Sequence, residues 1–290
     1  MRKDAPLSYR FGGAFFCELP FFVDKHVLIP RFDTEILVET AIKCIPDGGS
    51  VLDLCTGSGC IAVVMAKHGY KVTGIDISRG AVKIAKKNAR LNNVDVKFVR
   101  GDVTNIPRHG CAMPPPSLKG ELIHASSKSD FSVSPTSNDE STVGDTESLL
   151  LIQDKTCIPP SKKGVALRSN DGGCSMSQAA GDVLYNAVVC NPPYIKTAEI
   201  GKYDKSTLFE PRIALDGGAD GLRFYRAIAK SAQMYLKNGG TIFFEISYEQ
   251  AESVKTILEQ GGFCDIKVVK DVQGLERVIY GRYSGNKEKI

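Results

Sequence analysis

From residue 50 onward the chain repeats one unit: an apolar run, a glycine-containing loop and a helical pattern. This alternation restricts the fold more than any other feature. Residues 51–54, 71–75 and 94–99 read as strands, with helices over 60–68 and 78–91 between them, the second opened by the hydroxyl cap Ser78. The rhythm resumes with a strand over 183–190, a helix over 220–236, a strand over 241–246 and a helix over 248–260. Two closing strands follow, near 263–269 and 275–283, joined by a short turn at Asp271 and Gln273-Gly274. Strands alternating with helices pair in parallel, because each crossover helix must cover a face of the sheet. The expected class is therefore α/β, a doubly wound and mostly parallel sheet whose last two strands pair antiparallel at one edge. Upstream, 11–29 alternates aromatic and aliphatic residues around Leu19-Pro20 and predicts a short β-hairpin. A helix capped by Asp33 or Thr34 then runs to about Lys43, with Ile36, Leu37, Thr40 and Ala41 on one face.

Residues 107–181 break the rhythm. They are rich in Ser, Pro and Gly, carry one aromatic residue, Phe131, and sustain no period. So little apolar surface cannot offset the entropy of ordering the chain, so a disordered insertion into one βα connection is expected, with Leu149–Ile152 as its one apolar run. The expected organisation is an N-terminal segment 1–32, a main domain formed by 33–106 and 182–283, the insertion between them, and a tail 284–290.

The segment Asp53-Leu54-Cys55-Thr56-Gly57-Ser58-Gly59-Cys60 joins the first strand of the repeat to its helix. Glycines there permit positive φ and let a ligand approach the backbone. Gly57-x-Gly59-x-x-Ala62 satisfies the dinucleotide fingerprint, and Asp76 stands near the ~20-residue spacing at which a carboxylate takes ribose hydroxyls. Taken alone, the loop implies a nucleoside cofactor, either NAD or S-adenosylmethionine. Three details favour the methyl donor: the acidic Asp53 opens the loop, Gly101-Asp102 closes the third strand, and the fourth ends in Asn191-Pro192-Pro193-Tyr194. No His/Asp or Tyr/Lys pair suited to hydride transfer presents itself.

That tetrapeptide must end its strand, because neither proline can donate to the ladder. It leaves a rigid turn with an amide, a free carbonyl on Pro192 and an aromatic ring. The set suits a planar nitrogen, whose two N–H bonds would go to the Asn191 oxygen and the Pro192 carbonyl while Tyr194 covers one face.

Composition narrows the partners. The chain has 290 residues and a net charge of +4, with no Lys/Arg run long enough for a nucleic-acid footprint. Lys83, Lys86 and Lys87 cluster on a helical pattern that reads as a solvated face. Nine scattered cysteines and four dispersed histidines argue for a reducing compartment and against a metal site. No segment reaches the ~20 apolar residues of a membrane span, and no signal-peptide pattern opens the chain, so a cytoplasmic protein is expected, an organellar origin staying open.

Together these motifs resemble the class I S-adenosylmethionine-dependent methyltransferase fold, Rossmann-like, with a mostly parallel seven-stranded sheet and an antiparallel edge strand. Two further stretches narrow the resemblance: Leu28-Ile29-Pro30-Arg31-Phe32-Asp33-Thr34-Glu35 and Phe209-Glu210-Pro211-Arg212-Ile213-Ala214-Leu215-Asp216-Gly217-Gly218. With Pro6-Leu7-Ser8-Tyr9, they are similar to the HemK/PrmC family, which methylates the glutamine of the Gly-Gly-Gln loop in class I peptide-chain release factors. The likeness runs over 6–106 and 182–283, in order. It implies that Cys55, Thr56, Gly57, Ser58 and Gly59 wrap the methionine moiety, Asp76 holds the ribose, and Asp102 with Val103 flanks the adenine. It further implies that Asn191 and Pro192 grip the substrate amide, that Pro193 and Tyr194 shape the slot, and that Arg31, Glu35, Glu210 and Pro211 brace the entrance. Arg31 and Glu210 read equally well as a structural ion pair. The product would be S-adenosylhomocysteine, the partner a release factor, and neither metal, membrane nor direct nucleic-acid binding is implied.

Three departures stand out. Cys55 occupies a usual glycine position, the family's N-terminal helical docking domain is almost absent, so that 1–32 reads as its remnant, and the insertion enters just before the strand ending at Asn191. The expected chemistry is in-line transfer to an amide nitrogen, with no His, Glu or Asp beside the tetrapeptide as an obvious general base. Rival readings are an N6-adenine methyltransferase of DNA or RNA, a glutamine methyltransferase of another protein such as a ribosomal protein, and a catalytically poor cofactor-binding scaffold.

Overall fold

A computed structural model describes residues 5–104, 184–202 and 205–285, with no side-chain description for 205 and 206. The expected insertion 107–181 lies outside the described residues, as does nearly all of the tail. A short helix α1 (Leu7–Phe11) leads into the hairpin β1 (Gly13–Phe16) and β2 (Leu19–Phe22), paired antiparallel with Phe16 opposite Leu19. Helix α2 (Phe32–Cys44) follows. Its N-cap is Arg31, which makes no side-chain cap bond among the described residues; Asp33 and Thr34 lie inside the first turn. The expected cap at Asp33 or Thr34 is thus displaced, because the Thr34 hydroxyl is engaged elsewhere.

The main sheet comprises β3 (Ser50–Leu54), β4 (Lys71–Asp76), β5 (Lys97–Arg100), β6 (Tyr185–Cys190), β7 (Leu236–Glu245), β8 (Phe263–Lys270) and β9 (Glu276–Tyr283). Across it the strands lie in the order β5-β4-β3-β6-β7-β9-β8. Strands β5 to β7 are parallel, and β9 runs antiparallel to both neighbours, one place in from the edge strand β8. The crossovers are α3 (Cys60–Lys67), α4 (Arg79–Leu91), α5 (Arg223–Ala232) and α6 (Ala251–Gln260).

Alternation along the central strands supplies two cores, as period-two side chains require. Val51, Ala187, Val189 and Phe243 face one core with residues of α2, α3 and α4. Leu52, Leu54, Val188, Cys190, Ile242 and Phe244 face the other with residues of α5 and α6. The hairpin region docks on α4 through a smaller cluster of Tyr9, Val23, Val27, Ile29, Ala81 and Ile84. Buried Asn88 of α4 ties this region to the glycine loop: Nδ2 donates to the carbonyls of Phe22 (3.0 Å) and Ser58 (2.8 Å), and Oδ1 accepts from the Phe22 N–H (2.7 Å).

Three expected boundaries move. β5 begins at Lys97, not 94, because the Val94 N–H bonds back to the Ala89 carbonyl at the end of α4. α5 ends at Ala232, and β7 begins at Leu236, which pairs with Tyr185 before a register shift. α6 begins at Ala251, after a turn in which the Gln250 N–H bonds the Ser247 carbonyl. Among the described residues no helix is long and apolar enough to cross a membrane.

Candidate active site

In an open α/β sheet the strand order reverses where neighbouring crossovers leave on opposite faces, and a crevice opens at the carboxyl ends of the strands there. Here that point lies between β3 and β6. The loops after β3 and β6, the end of β4 and the turn after β5 all line one cleft. Cys55, Thr56, Gly57 and Ser58 line it from β3, Asp76 from β4, and Asp102 and Val103 from beyond β5. Asn191 and Pro193 line it from β6, and Arg31 from the segment before α2.

The remaining sequence candidates stand outside the lining. Gly59 is the N-cap of α3 at φ +79°, and a Cβ there would come within 2.9 Å of the Ala85 Cβ and 3.1 Å of the Phe98 ring. It seats the loop against α4 and β5. Glu35 accepts the Cys17 N–H at 2.7 Å and so braces the hairpin. Glu210, 6% exposed, pairs with Arg31 at 2.8 Å and accepts the Ile29 N–H at 3.3 Å, a structural ion pair that holds the strap before α2. Pro211 follows it, and Pro192 is buried in the tetrapeptide.

Two distinct carboxylates belong to this side of the cleft: Asp76 lines it and Asp53 is buried beneath the loop. Asp76 accepts the Gly57 N–H (2.9 Å) and the Ser78 N–H (2.8 Å), one on each oxygen, leaving further lone pairs on each for hydroxyls in the cleft. Burial raises its pKa against those two bonds. Asp53 is wholly buried; Oδ2 accepts the Thr56 hydroxyl at 2.5 Å, while Oδ1 has no partner among the described residues. Burial pushes its carboxyl up to about 7, opposed by the Thr56 bond. At Gly57, φ is +55° and an added Cβ would meet nothing nearer than 3.9 Å, so the backbone is open to a ligand there. Cys55 holds a left-handed φ of +58°, the conformation that makes glycine the usual occupant, and its thiol contacts that of buried Cys190.

On the β6 side, the Asn191 Nδ2 donates to the Thr34 hydroxyl at 3.1 Å. Thr34 donates to Glu245 Oε2 at 2.6 Å, and the Tyr194 hydroxyl donates to Glu245 Oε1 at 3.3 Å. A carboxylate from a distant strand therefore stands beside the tetrapeptide, a neighbour that the sequence expectation, which named no obvious general base there, did not include. Glu245 ends β7, is 1% exposed and does not line the cleft. Burial holds its carboxyl near 7 and the Tyr194 phenol far above its ordinary range. Sequence reasoning missed the partnership of Thr34 and Glu245; the signal was a lone acidic residue in the apolar run Thr241–Ile246.

A parallel sheet in this order, with a glycine loop after β3, an acid ending β4 and a polar turn ending β6, defines a Rossmann-like methyltransferase fold. A sequence family described as a methyltransferase domain matches residues 51–113. The crystal structure of a methyltransferase from Pyrococcus furiosus superimposes with a TM-score of 0.50 over 93% of this chain and 90% of that one, at 14% identity. Two release factor glutamine methyltransferases are closer in sequence. The Thermodesulfovibrio yellowstonii protein is 34% identical over 96% of this chain and 76% of its own length, and the Geobacter sulfurreducens protein 32% identical over 97% and 74%. The chain belongs to the release factor glutamine methyltransferase family.

Proposed function

We propose that this enzyme transfers a methyl group from S-adenosylmethionine to the side-chain amide of the glutamine in the Gly-Gly-Gln motif of class I release factors. It is a protein-(glutamine-N5) methyltransferase with a release factor as its protein substrate, working in the cytoplasm or the organelle where that release factor resides. The donor supplies a methyl group already activated by the positive charge of its sulfonium.

The residues of the cleft fit such a donor. Cys55, Thr56, Gly57 and Ser58 lie along its methionine moiety, with Gly59 seating their loop from behind. Asp76 uses its spare lone pairs on the ribose hydroxyls, while Asp102 and Val103 flank the adenine. Asp53, wholly buried beneath the loop, takes the Thr56 hydroxyl and so anchors the turn along which the donor lies. On the substrate side, the Asn191 Oδ1 and the Pro192 carbonyl accept the two amide N–H bonds, Pro193 walls the slot and the Tyr194 ring covers one face. Arg31, Glu35, Glu210 and Pro211 brace the entrance.

An amide nitrogen is a weak nucleophile because its lone pair is shared with its carbonyl. Acceptors on both N–H bonds raise electron density on nitrogen as it pyramidalises, an interaction stronger in the transition state than in the ground state. Holding the two reactants in line supplies the rest; well-aligned reactants recover up to ~7–11 kcal/mol. The observation that carries this reading is the seating of Asn191, at the end of β6 beside the β3 loop with its Nδ2 tied into the protein. The test is transfer of labelled methyl to a class I release factor and to its Gly-Gly-Ala variant. Label on the first alone supports the reading; equal label on both overturns it.

A further inference from the structure

Asn191 can present either an acceptor or a donor to the cleft, and the difference decides whether it can hold an amide nitrogen. Its Oδ1 accepts and its Nδ2 donates, and the two ends are almost the same shape. An amide about to be methylated offers N–H, so only Oδ1 will serve. Steric fit cannot choose between the orientations; hydrogen-bond polarity can.

Three elements supply that polarity. Thr34 lies in the first turn of α2 and Glu245 ends β7, exposed 2% and 1% respectively. An ionised carboxylate only accepts. The single hydrogen of Thr34 is committed to Glu245 at 2.6 Å, which leaves its oxygen able only to accept from Asn191, at 3.1 Å. Tyr194 donates to the other carboxylate oxygen at 3.3 Å, so Glu245 receives a hydrogen on each oxygen. With Nδ2 captured by Thr34, which borders the cleft beside it, Oδ1 is the end left free for a substrate amide.

We propose that Thr34 and Glu245 are positioning residues for methyl transfer, setting through a one-directional hydrogen-bond chain which end of the Asn191 side chain meets the substrate amide. The proposal rests on the reading of Asn191 as the amide acceptor. It has a consequence in pH. A protonated Glu245 owns a hydrogen it can give to Thr34, which frees the Thr34 hydrogen for Asn191 and lets the side chain turn over. The groups facing Glu245 are the Asp33–Arg277 pair (3.5 Å), Tyr194, Tyr225, Cys60 and Cys190. Burial holds those two tyrosines and two thiols above their ordinary values, so they stay neutral near pH 7 while Glu245 titrates. Turnover therefore declines as pH falls through about 7.

The experiment compares wild type, Thr34→Ser, Thr34→Val, Glu245→Gln and Asn191→Ala. Each is assayed for kcat on a release factor across pH at saturating S-adenosylmethionine, and for cofactor affinity. Saturation matters because Asp53 titrates in the same range on the cofactor side. Thr34→Val should lower kcat by about 10- to 100-fold, the size expected for one unsatisfied buried group, with cofactor affinity held. Thr34→Ser should restore it, and Glu245→Gln should lose the acid limb of the kcat profile. A Thr34→Val enzyme with wild-type kcat, or one losing kcat and cofactor affinity together, would overturn the proposal; so would an acid limb surviving in Glu245→Gln. Asn191→Ala separates the two readings. Full activity there removes the acceptor itself, whereas an inactive Asn191→Ala beside an unaffected Thr34→Val removes only the positioning role.

Discussion

The loops after β3 and β6 stand side by side at the carboxyl edge of one sheet, yet opposite means build them. The β3 loop is a backbone device: positive φ at Cys55, Gly57 and Gly59, and the Gly57 N–H turned to Asp76 a strand away. The β6 loop is stiffened by two prolines and aimed by side chains from α2 and β7, with Thr34 157 positions from Asn191 in sequence. Each also keeps a buried carboxyl near 7, but Asp53 has an oxygen without a partner among the described residues whereas both Glu245 oxygens are engaged. Asp53 is buried beneath its own loop, whereas Glu245 spends both oxygens on Thr34 and Tyr194, the side chains around Asn191.

The comparison breaks first at Asn191. Replacing it with Ala should cost on the order of 100-fold or more in kcat, the scale of losing an oriented transition-state hydrogen bond, and leave cofactor affinity nearly intact. Calorimetric cofactor titration beside single-turnover methylation checks this; parallel losses in both would merge the two loops into one binding unit.

The buried carboxyls come next, with an effect on the order of a few kcal/mol. Both have folded pKa values near 7 against ordinary values of 3.8 and 4.5. Between those limits the native state holds protons that the unfolded chain has released, so stability declines as pH rises from about 4 to about 7 and levels off above. Denaturant melts of cofactor-free protein from about pH 5 to about pH 8 should show that decline, and Asp53→Asn should flatten it. An unchanged slope in Asp53→Asn would mean that its carboxyl is not the buried proton holder.

Within the β3 loop the two glycines should part company. Gly59→Ala combines a left-handed φ with a Cβ 2.9 Å from that of Ala85, and should cost about 2–3 kcal/mol of stability. Gly57→Ala meets open space and should cost only about 1 kcal/mol, with its larger effect on cofactor affinity. Urea midpoints of the pair measure the difference, and equal midpoints would deny that Gly59 seats the loop. The smallest change is Cys55→Gly. Relief of a left-handed side chain, about 1–2 kcal/mol, is partly offset by glycine's extra chain entropy, about 0.5–1 kcal/mol, so a gain below about 1 kcal/mol is expected. A measurable loss in thermal scans would show that the thiol contact with Cys190 matters more than the strain.

Much of the fold was legible in the residues because it is local. Apolar runs of strand length, the Ser78 cap and the prolines at 192 and 193 act over a few positions, so the alternation of strands and helices and its mostly parallel sheet followed from them, whereas the strand order came from the structure. Of the boundaries that moved, those of β5 and α6 shifted through local bonds, Val94 to Ala89 and Gln250 to Ser247, whereas Leu236 is drawn into β7 across the sheet by pairing with Tyr185. The helix cap failed for the same reason, since a threonine that looks like a cap was recruited by a glutamate 211 positions away.

The sequence by itself determined the alternating sheet, the glycine loop with the acid Asp76 a strand away, and the turn that begins at Asn191, since each is encoded by neighbouring residues and their backbone limits. Only the tertiary structure decided which glycine borders the cleft and which packs, that Arg31 and Glu210 form an ion pair, and that the Asn191 Nδ2 meets Thr34. Those outcomes depend on groups far apart in the chain meeting out of water, where one hydrogen's direction, invisible in the sequence, carries the chemistry.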